Sequence, residues 1–149
     1  MTGKLAIRLL TGIRPRPLIK LAWLAGWKGM RAVRAFEHRR YRGEIVPPFV
    51  FISITDRCNL KCRGCWVSRL DPPRELGLAE LKRIIDSFRA RGVSFFGLLG
   101  GEPLMHGGLL DLMADYPDCY FLLFTNGTLL DDRTADELRR LGNVSPLVS

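Results

Sequence analysis

The chain has 149 residues, of which 47% are hydrophobic and 26% are charged, a balance typical of one folded domain and not of a disordered or fibrous chain. The formal net charge of +8 is unevenly distributed. Residues 1–48 carry 11 Lys/Arg and 2 Asp/Glu, a net charge of +9. Residues 49–149 carry 12 Lys/Arg and 13 Asp/Glu, a net charge of −1. No run reaches the ~18–20 apolar residues that span a bilayer, and the N-terminal apolar stretch is too short and too charged for a signal peptide.

The basic residues 1–48 are predicted to form a partly helical N-terminal arm, broken near Pro15 and Pro17. A basic amphipathic helix with tryptophans can lie on an anionic membrane surface, or it can pack on the following domain and leave its basic face in water. Both interpretations of residues 1–46 stay open, and no nucleic-acid-binding module is recognisable. Pro47 and Pro48 mark the boundary with the second predicted domain, residues 49–149. The apolar side chains at roughly helical spacing in the arm are Leu18, Leu21, Trp23, Leu24, Trp27, Met30 and Val33.

Strands and helices are predicted to alternate after this boundary. β-Branched and aromatic runs indicate strands over residues 49–55, 93–99, 120–124 and 143–149. Helical periodicity indicates helices over about 78–88 and 109–116. It also indicates a helix that contains Ala135, Leu138 and Leu141 and is capped by Asp131 or Asp132. Such alternation predicts a parallel sheet with right-handed crossovers. The strands are nearly all apolar, which is typical of strands buried on both faces.

Three cysteines, Cys58, Cys62 and Cys65, follow the first predicted strand with the spacing C-x3-C-x2-C. They lie too close together for a disulfide framework, and thiolates bind iron or zinc. Three thiolates can hold three irons of a cubic cluster and leave the fourth iron open. Zinc is the rival, but a structural zinc site requires four ligands, and His106 and Cys119 have no zinc-like spacing. Cys119, at the start of an apolar run, is interpreted as a buried, inert thiol.

Two further unusual segments follow the next two predicted strands: Gly100-Gly101-Glu102-Pro103 and Thr125-Asn126-Gly127. Because the carboxyl ends of parallel strands meet at one edge of a sheet, we expect both segments to lie near the cysteines. Glycines let the backbone approach a ligand closely. The Glu102 carboxylate can accept from a cationic group, and Asn126 offers both a donor and an acceptor. Taken singly, each segment is a common turn or loop.

In this order and at these strand ends, the three segments resemble the motifs of the radical S-adenosylmethionine (radical SAM) superfamily, from about residue 49 to the end. The resemblance implies a [4Fe–4S] cluster on Cys58, Cys62 and Cys65, with S-adenosylmethionine (SAM) bound to the open iron. It also implies that the reduced cluster cleaves SAM to a 5′-deoxyadenosyl radical, which takes hydrogen from a substrate. An electron donor such as a flavodoxin or a ferredoxin is implied as a partner. The implied contacts to SAM come from Gly100, Gly101, Glu102, Pro103, Thr125 and Asn126, with Glu102 accepting from the methionine ammonium.

The resemblance also predicts the fold class: α/β, with parallel βα units forming about half of a partial (β/α)6 TIM-like barrel behind the basic helical arm. The family has six βα units, whereas this chain supplies three and the start of a fourth, so we expect an N-terminal fragment of a longer enzyme. The family often places an aromatic residue before the third cysteine, where this chain has Gly64, followed by Trp66 after the cysteine.

The alternative function is an iron–sulfur electron-transfer module that does not cleave SAM. Gly100–Pro103 argues against this alternative, because an electron carrier does not need a site for the methionine amino group of SAM. The expected location is cytoplasmic, with membrane-surface association depending on the arm. Peptide modification, cofactor maturation and lipid or sugar chemistry all remain compatible with the sequence.

Overall fold

The computed structural model describes residues 19–20, 22–67 and 72–149. The predicted helix break at Pro15 and Pro17 lies outside them. A π-helical segment, Ala22–Lys28, continues into helix α1, Gly29–Arg40. The remaining elements are β1 (Val50–Thr55), α2 (Leu78–Arg89), β2 (Phe95–Gly100), a 3-10 turn (Pro103–Met105), α3 (Leu109–Asp115), β3 (Tyr120–Thr125), α4 (Asp132–Leu141) and β4 (Val144–Val148).

The four strands form one parallel sheet in the order β1-β2-β3-β4. In the register, Ile52 pairs with Leu98, Leu98 with Leu123, and Phe121 with Val144. The predicted parallel α/β architecture is therefore confirmed, with strand ends shifted by one or two residues. Asp131, and not Asp132, caps α4, since its side chain accepts from the Thr134 amide at 2.8 Å.

The core lies between one face of this sheet and helices α2, α3 and α4. Alternate strand residues point into it, as the two-residue period of a strand requires. The prediction of strands buried on both faces is wrong for β1 and β4, because the helices cover one face only: Phe51 is 50% exposed, and most of β4 is exposed. The fully buried core side chains include Ile54, Leu81, Ile85, Phe96, Leu98, Leu112, Met113, Phe121 and Leu123.

The described part of the arm lies against the edge where the strands begin. The ammonium of Lys28 donates to the Asp118 carbonyl at 2.9 Å, and the guanidinium of Arg39 donates to the Arg91 carbonyl at 2.6 Å. These carbonyls precede β3 and β2, while Leu24 and Ala32 are buried on the same side of the helical segment. One face of the helix is therefore packed on the domain, far from the strand ends that precede the site segments. Among the described residues, no helix combines the length and apolar character needed to cross a bilayer.

Candidate functional site

Three segments meet at the carboxyl edge of the sheet: the cysteine loop (residues 56–67), Gly100–Pro103 and Thr125–Gly127. The Gly101 amide donates to the Thr55 carbonyl at 2.7 Å, and the Glu102 amide donates to the Arg57 carbonyl at 2.8 Å. The amide of Asn126 donates to the Glu102 carboxylate at 2.7 Å. The convergence expected from the topology is thus confirmed, and it takes the form of direct hydrogen bonds between the segments.

The two glycines are required by the close approach of backbone to backbone. A Cβ on Gly100 would overlap the carbonyl oxygen of Thr55, and Gly100 has a φ of +139°, which side-chain-bearing residues rarely adopt. A Cβ on Gly101 would overlap the carbonyl oxygen of Arg57. The two glycines therefore allow Gly100–Pro103 to pack directly against the backbone at the start of the cysteine loop.

Glu102 joins the second segment to the third. Its side chain is 0% exposed. One carboxylate oxygen accepts from the Leu104 amide at 3.0 Å and from the Thr125 hydroxyl at 2.7 Å, and the other accepts from the Asn126 amide. An ionised carboxylate offers about four acceptor positions, so one position remains for a further donor. The sequence indicated an acceptor for a ligand, whereas the structure shows that this carboxylate also organises the end of β3.

The cysteine loop makes a tight turn between its second and third cysteines. The Cys65 amide donates to the Cys62 carbonyl at 3.2 Å, and Gly64 has a φ of +82°. An aromatic residue at position 64 would be strained in this turn. Trp66, which follows the third cysteine, is 56% exposed.

The donor set of this loop fits an iron–sulfur cluster better than a single ion. Among the described residues, no three His, Cys, Asp or Glu side chains are grouped so as to hold one metal ion. A cubic cluster takes one thiolate per iron, so its ligands need not converge on one point. Cys62 is exposed, and Cys58 and Cys65 are half-buried, so the loop presents them at the surface. The Leu60 amide points at the Cys58 sulfur at 3.5 Å, a donor that suits a thiolate.

The chain that follows the cysteine loop returns to the end of β1, through contacts that the sequence did not indicate. The Thr55 hydroxyl donates to Glu75 at 2.8 Å, and the Asp56 amide donates to the Arg74 carbonyl at 2.7 Å. His106 is buried, and its Nε2 lies 2.9 Å from the Leu76 carbonyl oxygen, an acceptor. His106 therefore holds the chain that follows the loop.

Cys119 lies at the opposite edge of the sheet, just before β3. It is 0% exposed, and burial raises the pKa of its thiol to about 12 because a thiolate is poorly solvated there. The interpretation of this residue as a buried thiol is confirmed, and its lack of reactivity stays a prediction.

Comparison with known proteins identifies a family from the sequence and finds the same fold among solved structures. A family model described as the radical SAM superfamily matches residues 52–149. GTP 3′,8-cyclase of Acidothermus cellulolyticus is 40% identical over 103 residues, which is 61% of this chain and 28% of the relative. Fe-coproporphyrin III synthase of Methanosarcina barkeri is 35% identical over 99 residues, covering 64% of this chain and 25% of the relative. The chain thus spans between a quarter and a third of the length of the curated relatives it matches.

Two solved structures share the fold. Streptococcus suis SuiB bound to S-adenosylmethionine superposes with a TM-score of 0.62 at 20% identity, over 73% of this chain and 26% of SuiB. BtrN in complex with AdoMet and 2-DOIA gives 0.59 at 21% identity, over 68% of this chain and 44% of BtrN. Members of the matched family use a [4Fe–4S] cluster and SAM. With a family match over most of its length and this fold, the chain belongs to the radical SAM superfamily.

Proposed function

We propose that this chain carries the cofactor-binding part of a radical SAM enzyme, with a [4Fe–4S] cluster on Cys58, Cys62 and Cys65. The observation that carries the proposal is the hydrogen-bonded junction of the three segments at the carboxyl edge of the sheet. SAM would bind beside the cysteine loop, bordered by Gly100–Pro103 and by Thr125 and Asn126. When bound, the cluster and SAM supply the one-electron cleavage that yields a radical able to take hydrogen from a substrate.

The protein's own groups would bind and orient these cofactors. Arg57, Lys61 and Arg63 are exposed on the cysteine loop, where their charges offset the negative charge of a cluster. The remaining acceptor position of Glu102 would receive the methionine ammonium after a local opening, since the side chain is 0% exposed, while its other contacts hold the strand ends in place. The backbone of Gly100 and Gly101 would border the amino-acid part of SAM.

The reductant and the substrate are proposed only by class. A small electron donor such as a flavodoxin or a ferredoxin would deliver the electron at the exposed cysteine loop. The relatives carry names as different as GTP 3′,8-cyclase and Fe-coproporphyrin III synthase, and one structural neighbour was solved with a precursor peptide. We therefore assign no substrate class to this chain.

Anaerobic reconstitution with iron and sulfide tests the proposal. We expect wild type to bind about four irons and, after reduction, to give the electron paramagnetic resonance (EPR) spectrum of a [4Fe–4S]⁺ cluster. Alanine at Cys58, Cys62 or Cys65 should abolish this signal, whereas Cys119→Ala serves as the matched control and should keep it. Equal iron content in wild type and the three loop variants would contradict the proposal. 5′-Deoxyadenosine released from added SAM separates an enzyme from a simple electron carrier.

We also propose that the arm contacts an anionic membrane surface from a cytoplasmic location. Trp23, Trp27, Met30 and Val33 form a stripe on the helical segment, and each is between 45% and 57% exposed. The rings of Trp23 and Trp27 stack with their centroids 6.4 Å apart. Met30 and Val33 also line an apolar cavity with Phe49 and Phe95 of the domain, so the two tryptophans are the part of the stripe that suits the membrane–water interface.

The basic residues of the arm also support binding to an anionic membrane. Arg31 and Arg34 are exposed beside the stripe, and basic residues next to an apolar stripe attract anionic headgroups. Co-sedimentation with vesicles of anionic lipid should retain wild type and lose a Trp23→Ala/Trp27→Ala variant. Ile45→Ala is the control, since Ile45 is 82% exposed but lies outside the helix. Equal sedimentation of the tryptophan variant and wild type, or equal binding to zwitterionic vesicles, would rule out this role.

A further inference from the structure

We infer that Asn126 is a positioning residue for Cys58 and that its side-chain amide raises the reduction potential of a cluster bound there. This inference rests on the proposed function, because it requires Cys58 to be a cluster ligand. Asn126 follows β3, 68 residues after Cys58, and its Nδ2 lies 3.9 Å from the Cys58 sulfur. The amide of Leu60 approaches the same sulfur at 3.5 Å.

The orientation of the Asn126 amide is fixed by its partners. Its Nδ2 also donates to Asn59 Oδ1 at 2.9 Å, and its Oδ1 accepts from the amide and the hydroxyl of Thr128 at 2.9 and 2.6 Å. A flipped amide would place its NH₂ group against the Thr128 amide, which can only donate. The donor side of Asn126 therefore faces the cysteine loop.

Three side chains close a ring that anchors the start of the cysteine loop. Asn59 Nδ2 donates to Thr128 Oγ1 at 2.7 Å, the Thr128 hydroxyl donates to Asn126, and Asn126 donates back to Asn59. Each hydrogen bond of the ring uses its own donor and its own acceptor, so all three bonds can form at the same time. The backbone amide of Asn126 is held separately by the buried Glu102 carboxylate. The position of Cys58 is thus linked through Asn126 to the buried centre of the site.

A donor aimed at a ligand sulfur has a defined effect on a cluster. Reduction adds negative charge to the cluster, and hydrogen bonds to its sulfurs stabilise that charge and raise the potential. The 3.9 Å contact is long for a hydrogen bond to sulfur, so we expect a modest effect. Removing it should shift the one-electron reduction equilibrium three- to tenfold toward the oxidised cluster, which corresponds to a potential about 30–59 mV lower.

The test is an EPR-monitored redox titration of the anaerobically reconstituted protein without SAM. Asn126→Ala should lower the midpoint potential by the stated amount, with the circular dichroism spectrum of wild type. Asn126→Asp keeps the acceptor for Thr128, loses the donor and adds a negative charge, so it should lower the potential by at least the stated amount and serves if the alanine variant does not fold.

Position 128 provides a matched pair of controls. Thr128→Ser keeps the hydroxyl and should match wild type, whereas Thr128→Val loses the hydroxyl contacts to Asn126 and Asn59 but keeps the main-chain contact to Asn126, and should give part of the shift. If wild type binds a cluster and the Asn126 variants titrate at the wild-type potential, the inference is overturned. A wild type that binds no cluster overturns the proposed function instead, so the two failures are distinguishable.

Discussion

Replacing Glu102 by glutamine tests whether this buried carboxylate holds the three segments together. Its two oxygens accept from the Leu104 and Asn126 amides and from the Thr125 hydroxyl. A carboxamide has one oxygen, so either orientation places its NH₂ group against at least one backbone amide, which can only donate.

The size of the effect follows from these contacts. An unsatisfied buried donor costs about 1–3 kcal/mol, and a hydrogen bond to a charged group contributes about 1.5–3 kcal/mol. Because the residue is 0% exposed, water cannot replace the lost acceptor without a local opening. We therefore expect Glu102→Gln to lower the free energy of unfolding by about 2–4 kcal/mol.

Urea unfolding followed by circular dichroism measures this free energy directly. The matched control is Glu75→Gln, because Glu75 is exposed and accepts one hydrogen bond, from Thr55, which an amide oxygen can also accept. The control should stay within about 0.5 kcal/mol of wild type. A Glu102→Gln variant as stable as the control would refute the reasoning that this carboxylate is an internal anchor.

Four further predictions rest on named contacts. In the apo protein at pH 8, a thiol reagent should label the three loop cysteines rapidly and Cys119 only after unfolding. The burial of Cys119 and the raised pKa of its thiol keep it unreactive in the folded protein. Rapid labelling of all four cysteines would contradict this prediction. Since the folded pKa of this thiol lies above the unfolded one, its contribution to stability should fall as pH rises from about 8.5, a loss that Cys119→Ala should remove in urea titrations. Gly101→Ala should be destabilised by about 1–3 kcal/mol, since its Cβ meets the Arg57 carbonyl, whereas Gly107→Ala, with open space around its Cβ, should unfold like wild type. Asn143→Ala should lower the free energy of unfolding by about 2–4 kcal/mol, because the two N–H groups of the buried Asn143 amide are shared among three main-chain carbonyls within hydrogen-bonding distance; a change below 0.5 kcal/mol would contradict that role.

The parallel sheet was predictable because each strand is a short apolar run followed by a turn signal. Parallel topology then places the ends of β1, β2 and β3 together, so the meeting of Cys58, Glu102 and Asn126 could be expected from the sequence. The hydrophobic pattern does not report how many layers cover a sheet, which is why the exposure of Phe51 was not foreseen.

The partners of individual polar side chains were not predictable. Glu102 looks like a ligand group in the sequence, and only the three-dimensional path of the strand end turns it inward toward Thr125. The contact between Asn126 and Cys58 joins residues 68 positions apart, and no local pattern encodes such a pair. The Asn59–Thr128 hydrogen bond also joins residues far apart in the sequence, so it was not predictable either.

The central claim is that the loop of Cys58, Cys62 and Cys65 holds a cluster with one iron open to SAM. EPR spectra of the reduced, reconstituted protein before and after addition of SAM test it most directly. We predict a [4Fe–4S]⁺ signal that changes in shape when SAM binds at the open iron. A cluster signal that SAM leaves unchanged, or no cluster signal at all, would contradict the account.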